Sequence, residues 1–362
     1  MLTRHDLAGL SRTHEDDLVL SVYIARDGSD PGNRARWKLR LDGALGAIRE
    51  GLVKEAPEDL AAFDEASTRV MSGVEAFGRV LPHEGWSAFA TSEGVFHAEG
   101  LPFAPPDLVR WRQGMYAAPY VRTLKSVRPV TLVLLDKWHA RVFKYQDGRV
   151  SQALEFEADR SSVDAADVGT SKRASSKSGM RGITRTDYTQ RLLDEESKRL
   201  RRDLVEAVFD MAGDAGGVAL AGTPKAVAAV RKDLEEKLVG QIVEVSDLSF
   251  DSADADISAA AATAASELTL ARQARLLEAC TQAPELGSMG WNRTYRALAA
   301  GAVDTLLVAR GLIESSPDDA ERLVRLALAQ GAEVEELGDE LGARLMAEAD
   351  GVAARLRFRM VA

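Results

Sequence analysis

The chain has 362 residues, 46% hydrophobic and 28% charged, with a formal net charge of −10. These are the proportions of an ordinary folded protein, which excludes a disordered or fibrous chain, and the acid excess excludes indiscriminate coating of nucleic acid. A single cysteine, Cys280, excludes an internal disulfide and a cysteine-based zinc site.

This length predicts two or three domains, and three are expected: an N-terminal α/β domain over 1–127, a middle domain over 128–256 and a C-terminal three-layer αβα domain over 257–362. No run approaches the roughly 20 apolar residues that cross a bilayer. The opening MLTRHDLAGL lacks the apolar core of a secretory signal. The expected location is therefore cytoplasmic.

In chain order, Leu18 to Ile24 is an apolar and β-branched run that reads as a buried strand. Turn residues Asp27 to Asn33 follow. Arg34, Arg36, Lys38 and Arg40 then alternate with Ala35, Trp37, Leu39 and Leu41 at the start of a helix reaching towards Leu52. This cluster reads either as a solvated helix start or as a second RNA contact through Arg34, Arg36 and Lys38, with Trp37 available to stack. A helix is predicted over Pro57 to Phe77, and short strands at Trp86 to Thr91 and Val95 to Ala98. Prolines break the next stretch, where Trp111, Tyr116 and Tyr120 read as packing anchors.

Val130 to Leu135 is fully apolar and opens the middle domain as a strand. Arg141 to Tyr145 and Arg149 to Ser151 flank an Asp147-Gly148 pair, which predicts a hairpin. The segment 170–186 follows: glycine, serine and threonine carrying Lys172, Arg173, Lys177, Arg181 and Arg185 with no acid, a local +5 in an acidic chain. A long basic loop between regular elements is commonly functional. From Asp187 a long helix is predicted with Tyr188, Leu192, Leu200, Leu204, Val208 and Met211 on one face. Gly222-Thr223-Pro224 places Thr223 as N-cap and Pro224 at the first helical position. A glycine turn before a helix can bind phosphate, but this one lacks the spacing of a known phosphate loop.

Asp251, Asp254 and Asp256 lack the central glycine and closing glutamate of an EF-hand; Asp256 reads as the N-cap of the next helix in an acidic interdomain joint. Helix and strand then alternate to the end, with Val303 to Val308 and Ala332 to Leu337 as parallel partners. Cys280, on a helical pattern, reads as a small buried apolar residue. The histidines show no ligand spacing, and no nucleophile elbow, Walker loop or zincin helix occurs. No catalytic residue, metal or cofactor is expected. From the residues alone the chain is a multi-domain protein that contacts RNA or phosphate.

The order of the Val130 strand, the basic segment, the long helix, VALAGTPKAV, QIVEVSDLSF and TYRALAAGAVDTLLVARG resembles the middle and C-terminal domains of archaeal and eukaryotic peptide-chain release factors and Pelota. It is most similar to their bacterial relatives, the Balon-like hibernation group, over about 128–362. The N-terminal LSVYIARDG segment resembles that group's first domain more loosely. The resemblance implies a release-factor-like middle domain whose tip enters the peptidyl-transferase centre. The residues implied for that contact with ribosomal RNA are Lys172, Arg173, Lys177, Gly179, Met180, Arg181, Gly182, Ile183, Thr184 and Arg185.

In release factors this tip carries the Gly-Gly-Gln that places water on the ester of peptidyl-tRNA. The chain contains no Gly-Gly-Gln. The expected function is thus a hibernation or stalled-ribosome factor occupying the A site without peptide release, with elongation factor Tu or another translational GTPase implied as a partner. Two alternatives remain: a peptidyl-tRNA hydrolase or rescue factor using a different loop residue, and a stress-associated RNA- or protein-binding protein.

Overall fold

The structure is a computed structural model describing residues 2–27, 36–78, 80–81, 83–102, 104–121, 128–146, 148–158, 185–213, 216–246 and 248–360, with backbone alone at 4 and 185–190. It is a mixed α/β chain with three sheets among the described residues, in two compact units, one made of residues 1–127 and 273–362, the other of 128–272. Among the described residues no helix is long and apolar enough to cross a membrane.

The chain opens with α1 (Arg4–Thr13), capped by Thr3 and Asp6, and β1 (Leu18–Ala25). A strand's side chains alternate between its faces, and β1 serves two cores. Leu20, Val22 and Ile24 join Trp37, Leu41 and Leu45 of α2 (Arg36–Glu55) and Phe63, Val70 and Val74 of α3 (Leu60–Glu75). Val19 and Tyr23 join the other core. β2 (Gly85–Ala90), β3 (Val95–Leu101) and β4 (Leu108–Gln113) complete an antiparallel sheet in the order β3-β2-β1-β4. β4 lies in the proline-broken stretch where no strand was expected. Its Val109 and Trp111 pack on the α2 and α3 side, with Arg110 and Arg112 at the intervening positions.

The second unit is built on β5 (Val130–Leu135), β6 (His139–Gln146), β7 (Arg149–Glu157), α4 (Arg185–Ala212), β8 (Gly217–Gly222), α5 (Pro224–Glu235) and β9 (Ile242–Val245). The order is β7-β6-β5-β8-β9, with β8 parallel to β5 and β9 and the hairpin strands antiparallel. Val133 and Leu135 pack with Leu204, Val205 and Val208 of α4 and Val227, Val230 and Leu234 of α5. Leu132 and Leu134 pack with Ile257, Ala261, Ala264 and Leu268 of α6 (Asp254–Gln282). A fully apolar strand is what a sheet covered on both faces requires. The first half of α6 therefore completes this unit, whereas the expected boundary at 256/257 lies ahead of it. Asp256, expected as an N-cap, lies with Asp254 in the first turn of α6, where a carboxylate complements the helix dipole.

The remaining elements are β10 (Gly287–Met289), α7 (Trp291–Ala299), β11 (Val303–Ala309), α8 (Arg310–Ser315), α9 (Pro317–Ala329), β12 (Glu333–Leu337), α10 (Asp339–Ala349) and β13 (Val352–Leu356). Their sheet runs β10-β13-β11-β12, with β11 and β12 parallel. Neither β10 nor α8 was expected, since elements this short carry no readable periodicity. Segments 1–127 and 273–362 share a core in which Leu7, Tyr23, Phe89 and Tyr120 join Leu323, Val324 and Ala327 of α9, and α1 packs against α9.

At the end of β8 in the middle unit, the backbone at Gly222 leaves no room for a side chain. Gly222 has φ +128°, and a Cβ there would lie 1.8 Å from the Leu135 carbonyl oxygen. Gly222→Ala should therefore cost about 2–3 kcal/mol in a urea titration, the cost of a strained backbone plus a displaced strand end. A loss below 0.5 kcal/mol would show that β5 and β8 can separate there freely.

Candidate functional site

In sequence, the segment singled out by charge falls between β7 and α4, so the site is built from what anchors the end of β7 and the body of α4. Thr223 N–H donates to the Leu135 carbonyl at 3.0 Å, joining the carboxyl ends of the parallel strands β5 and β8. Just beyond, Asp136 folds the chain back. Its Oδ1 accepts from the N–H groups of Trp138 (2.6 Å) and His139 (2.8 Å), and its Oδ2 lies 3.2 Å from His139 Nδ1. Burial alone would raise the Asp136 carboxyl, but the N–H groups of Trp138 and His139 and the imidazole outweigh it and hold it below the usual range.

This turn is tied on both sides. Ala158 N–H, just past β7, donates to the Trp138 carbonyl at 2.8 Å, and Ser197 Oγ on α4 donates to the Lys137 carbonyl at 3.4 Å. The turn also carries cations against rings: Lys137 Nζ lies 4.3 Å from the Trp138 ring centre, and the Arg141 guanidinium lies over Phe143 and Phe250.

α4 supplies reach. Twelve steps separate Arg185 from Ser197, so about 18 Å of helix precedes the tie at 1.5 Å per residue. Among its described side chains the buried core contacts begin at Leu204; Leu192 and Leu200, predicted on the apolar face, are half-buried, and the Tyr188 side chain lies outside the described residues. Arg191, Lys198, Arg199 and Arg202 are exposed, Arg202 beside Asp203, while Arg201 pairs with Asp233 at 2.8 Å. Acidic Asp194, Glu195 and Glu206 are exposed on the same helix, so its described face is mixed in charge.

Of the predicted contact residues, Lys172, Arg173, Lys177, Gly179, Met180, Arg181, Gly182, Ile183 and Thr184 lie outside the described residues; Arg185 begins α4, its side chain undescribed. At the proposed second contact Arg34 is also outside. Arg36 is exposed, and Lys38 Nζ lies 5.4 Å from the Trp37 ring centre.

Trp37 does not match the stacking role. It is 0% exposed in the core with Leu41, Leu45 and Phe63, and its N–H donates to Asp27 Oδ2 at 2.6 Å. The helix repeat puts 37, 41 and 45 on one inward face, so no face of the indole is open to a base. Thr223 occupies the N-cap position of α5 with Pro224 following, but its side chain makes no capping hydrogen bond. Cys280 is buried, and burial pushes its thiol up to about 11 against the pull of Arg355. Among the described residues, no group of three or more His, Cys, Asp or Glu could hold a metal ion.

A polar constellation not anticipated from the sequence sits in the other unit. Glu321 of α9 is buried, its Oε1 accepting from Ala117 N–H (3.0 Å) and its Oε2 from Ala118 N–H (2.9 Å). Tyr116 N–H donates to Ser21 Oγ at 3.0 Å, and Tyr23 OH to the Tyr116 carbonyl at 2.7 Å. Arg110 and Arg112 of β4 both pair with Asp318, Arg112 at 2.8 Å. Burial pushes the Glu321 carboxyl up to about 7, against the two N–H donors, Arg325 and Arg110; the Tyr116 phenol is pushed up to about 12 by burial and by Glu321. The available signal was a glutamate on the inward side of α9, among Ala320, Val324 and Ala327.

Residues 116–267 match the family described as bacterial archaeo-eukaryotic release factor family 10. This stretch of the chain is similar to bacterial relatives of the archaeo-eukaryotic release factors. The matched span takes in β5 to β9, the first half of α6 and the whole basic segment. Three solved structures similar to this chain are an archaeal translation termination factor, aRF1 (16% identity, 99% of each chain, TM-score 0.27), Dom34 of S. cerevisiae, a translation termination-like factor (10%, 70% of this chain and 71% of that one, 0.44), and Archaeoglobus fulgidus Pelota (19%, 77% and 80%, 0.35). No curated protein matches the chain.

Proposed function

We propose that this protein binds the ribosome, using the segment 170–186 as its contact with ribosomal RNA, and releases no peptide. The carrying observation is that the family match spans a segment with five cations and no acid, which lies in sequence between β7 and α4. Phosphate contacts of this kind position a protein without reading bases. Lys172, Arg173, Lys177, Arg181 and Arg185 supply the charge; Gly179, Met180, Gly182, Ile183 and Thr184 stand among them. Arg36 and Lys38 are retained as secondary contacts, acting as charges.

Peptide release requires water placed on the ester, and the glutamine that does so in release factors is absent, as is any Gly-Gly-Gln. Occupancy of the A site on idle or stalled ribosomes, hibernation rather than rescue, follows from binding without release, and docking of elongation factor Tu or another translational GTPase belongs to the same reading. Programmed ribosomes carrying labelled peptidyl-tRNA provide the test. With the protein in excess, the label should stay on the tRNA while the protein blocks entry of aminoacyl-tRNA. Released label that disappears when Arg181 to Thr184 are altered would replace this reading with a hydrolase.

A further inference from the structure

Between β4 and α9 lies a cavity of about 140 Å³ lined by Ser21, Arg110, Arg112, Asp318, Glu321 and Arg325, among others. At about 30 Å³ per water it holds four or five waters, and it is well below the roughly 300 Å³ of a typical organic-ligand pocket. Its occupant must be small, and the charges of its wall decide its sign.

The two carboxylates are already engaged. Asp318 is held by Arg110 and Arg112, and both oxygens of Glu321 are taken by the N–H groups of Ala117 and Ala118. The third arginine has a donor to spare: Arg325 Nε is buried with no hydrogen-bond partner among the described residues. Its guanidinium is accommodated by Gly114, where a Cβ would stand 2.5 Å from Nη1. A buried unsatisfied donor is costly, and in a native protein it points to a water or an ion. Three arginines against two engaged carboxylates select an anion, and guanidinium groups arriving from both a strand and a helix suit a tetrahedral oxyanion better than a planar one.

We propose that this cavity is a binding site for a free, phosphate-class oxyanion, which bridges Arg325 of α9 to Arg110 and Arg112 of β4. The bound ion ties the N-terminal sheet to α9 within one unit. The site is independent of ribosome binding, so the fate of either reading leaves the other untouched.

The test uses the full chain, titrated with inorganic phosphate against chloride at matched ionic strength, followed by thermal unfolding and by ³¹P NMR line width. The expected result is a saturable rise in Tm, about 3 °C at ten times Kd, with line broadening on the same concentration scale. Both should weaken at least fivefold in Arg325→Gln and in Arg325→Lys, which keeps the charge and stem but loses the fork; Arg69→Gln, an exposed arginine on α3, should match the wild type. A Tm that rises linearly and equally in wild type and both Arg325 variants, the signature of ion exclusion from the surface, would overturn the proposal. So would acetate acting as well as phosphate.

Discussion

Replacing Glu321 by alanine is expected to lower the stability of the unit containing residues 1–127 and 273–362 by about 3–5 kcal/mol, the range for breaking a buried, hydrogen-bonded charged group. The substitution strands the N–H groups of Ala117 and Ala118, which have Glu321 as their acceptor, and opens a gap in a core that includes Tyr116 and Leu323. Urea unfolding of the full chain followed by tryptophan fluorescence measures the loss. A cost under 1 kcal/mol would show that the segment 114–121 repacks without α9.

The same residue has a pH signature. With its carboxyl raised to about 7 from an ordinary 4.5, the folded protein holds a proton that the unfolded chain has released. Stability from this group is fully present below 4.5 and is lost as pH rises through about 7. A shift of this size corresponds to roughly 3 kcal/mol at 1.36 kcal/mol per unit. Glu321→Gln stays neutral and should flatten the decline between pH 4.5 and 7.

Much of the architecture was legible because single stretches carry it. Val130 to Leu135 is apolar at every position, which suits only a strand covered on both faces, and α4, α5 and α6 cover it. Where two periodicities competed, one of the two readings failed. Around Trp37 the alternation of basic and apolar residues suggested a stacking tryptophan, yet in a helix the same residues place Trp37 and Leu41 inside and leave Leu39 73% exposed. β4 was concealed by flanking prolines and its two arginines, although Val109 and Trp111 alternate with them as a strand requires.

The candidate site was legible as charge and not as geometry. Five cations without an acid can be counted in a sequence. The tie of Asp136 to Trp138 and His139, and of Lys137 to Ser197, cannot, since each joins residues whose partners the sequence does not mark. Glu321 is the converse case. Its position on the inward face of α9 was readable, but its partners Ala117 and Ala118 lie about two hundred residues away and offer only backbone N–H groups.

The second large effect concerns the ribosome. If all five cations of 170–186 meet phosphates, log affinity should fall with log salt at a slope of about −3.5 to −4.5, or roughly 100- to 500-fold between 50 and 200 mM. Arg181→Glu with Arg185→Glu removes two contacts and adds two repulsions. The slope should then shrink by about 1.4–1.8, with binding weakened at every salt concentration.

Co-sedimentation of the full chain with 70S ribosomes, titrated in salt for the wild type and for this double variant, tests the central claim most directly. The account predicts saturable wild-type binding with that steep salt dependence, and a double variant that remains in the supernatant at near-physiological salt. Equal pelleting of the two proteins, or a wild type that never pellets, would contradict it.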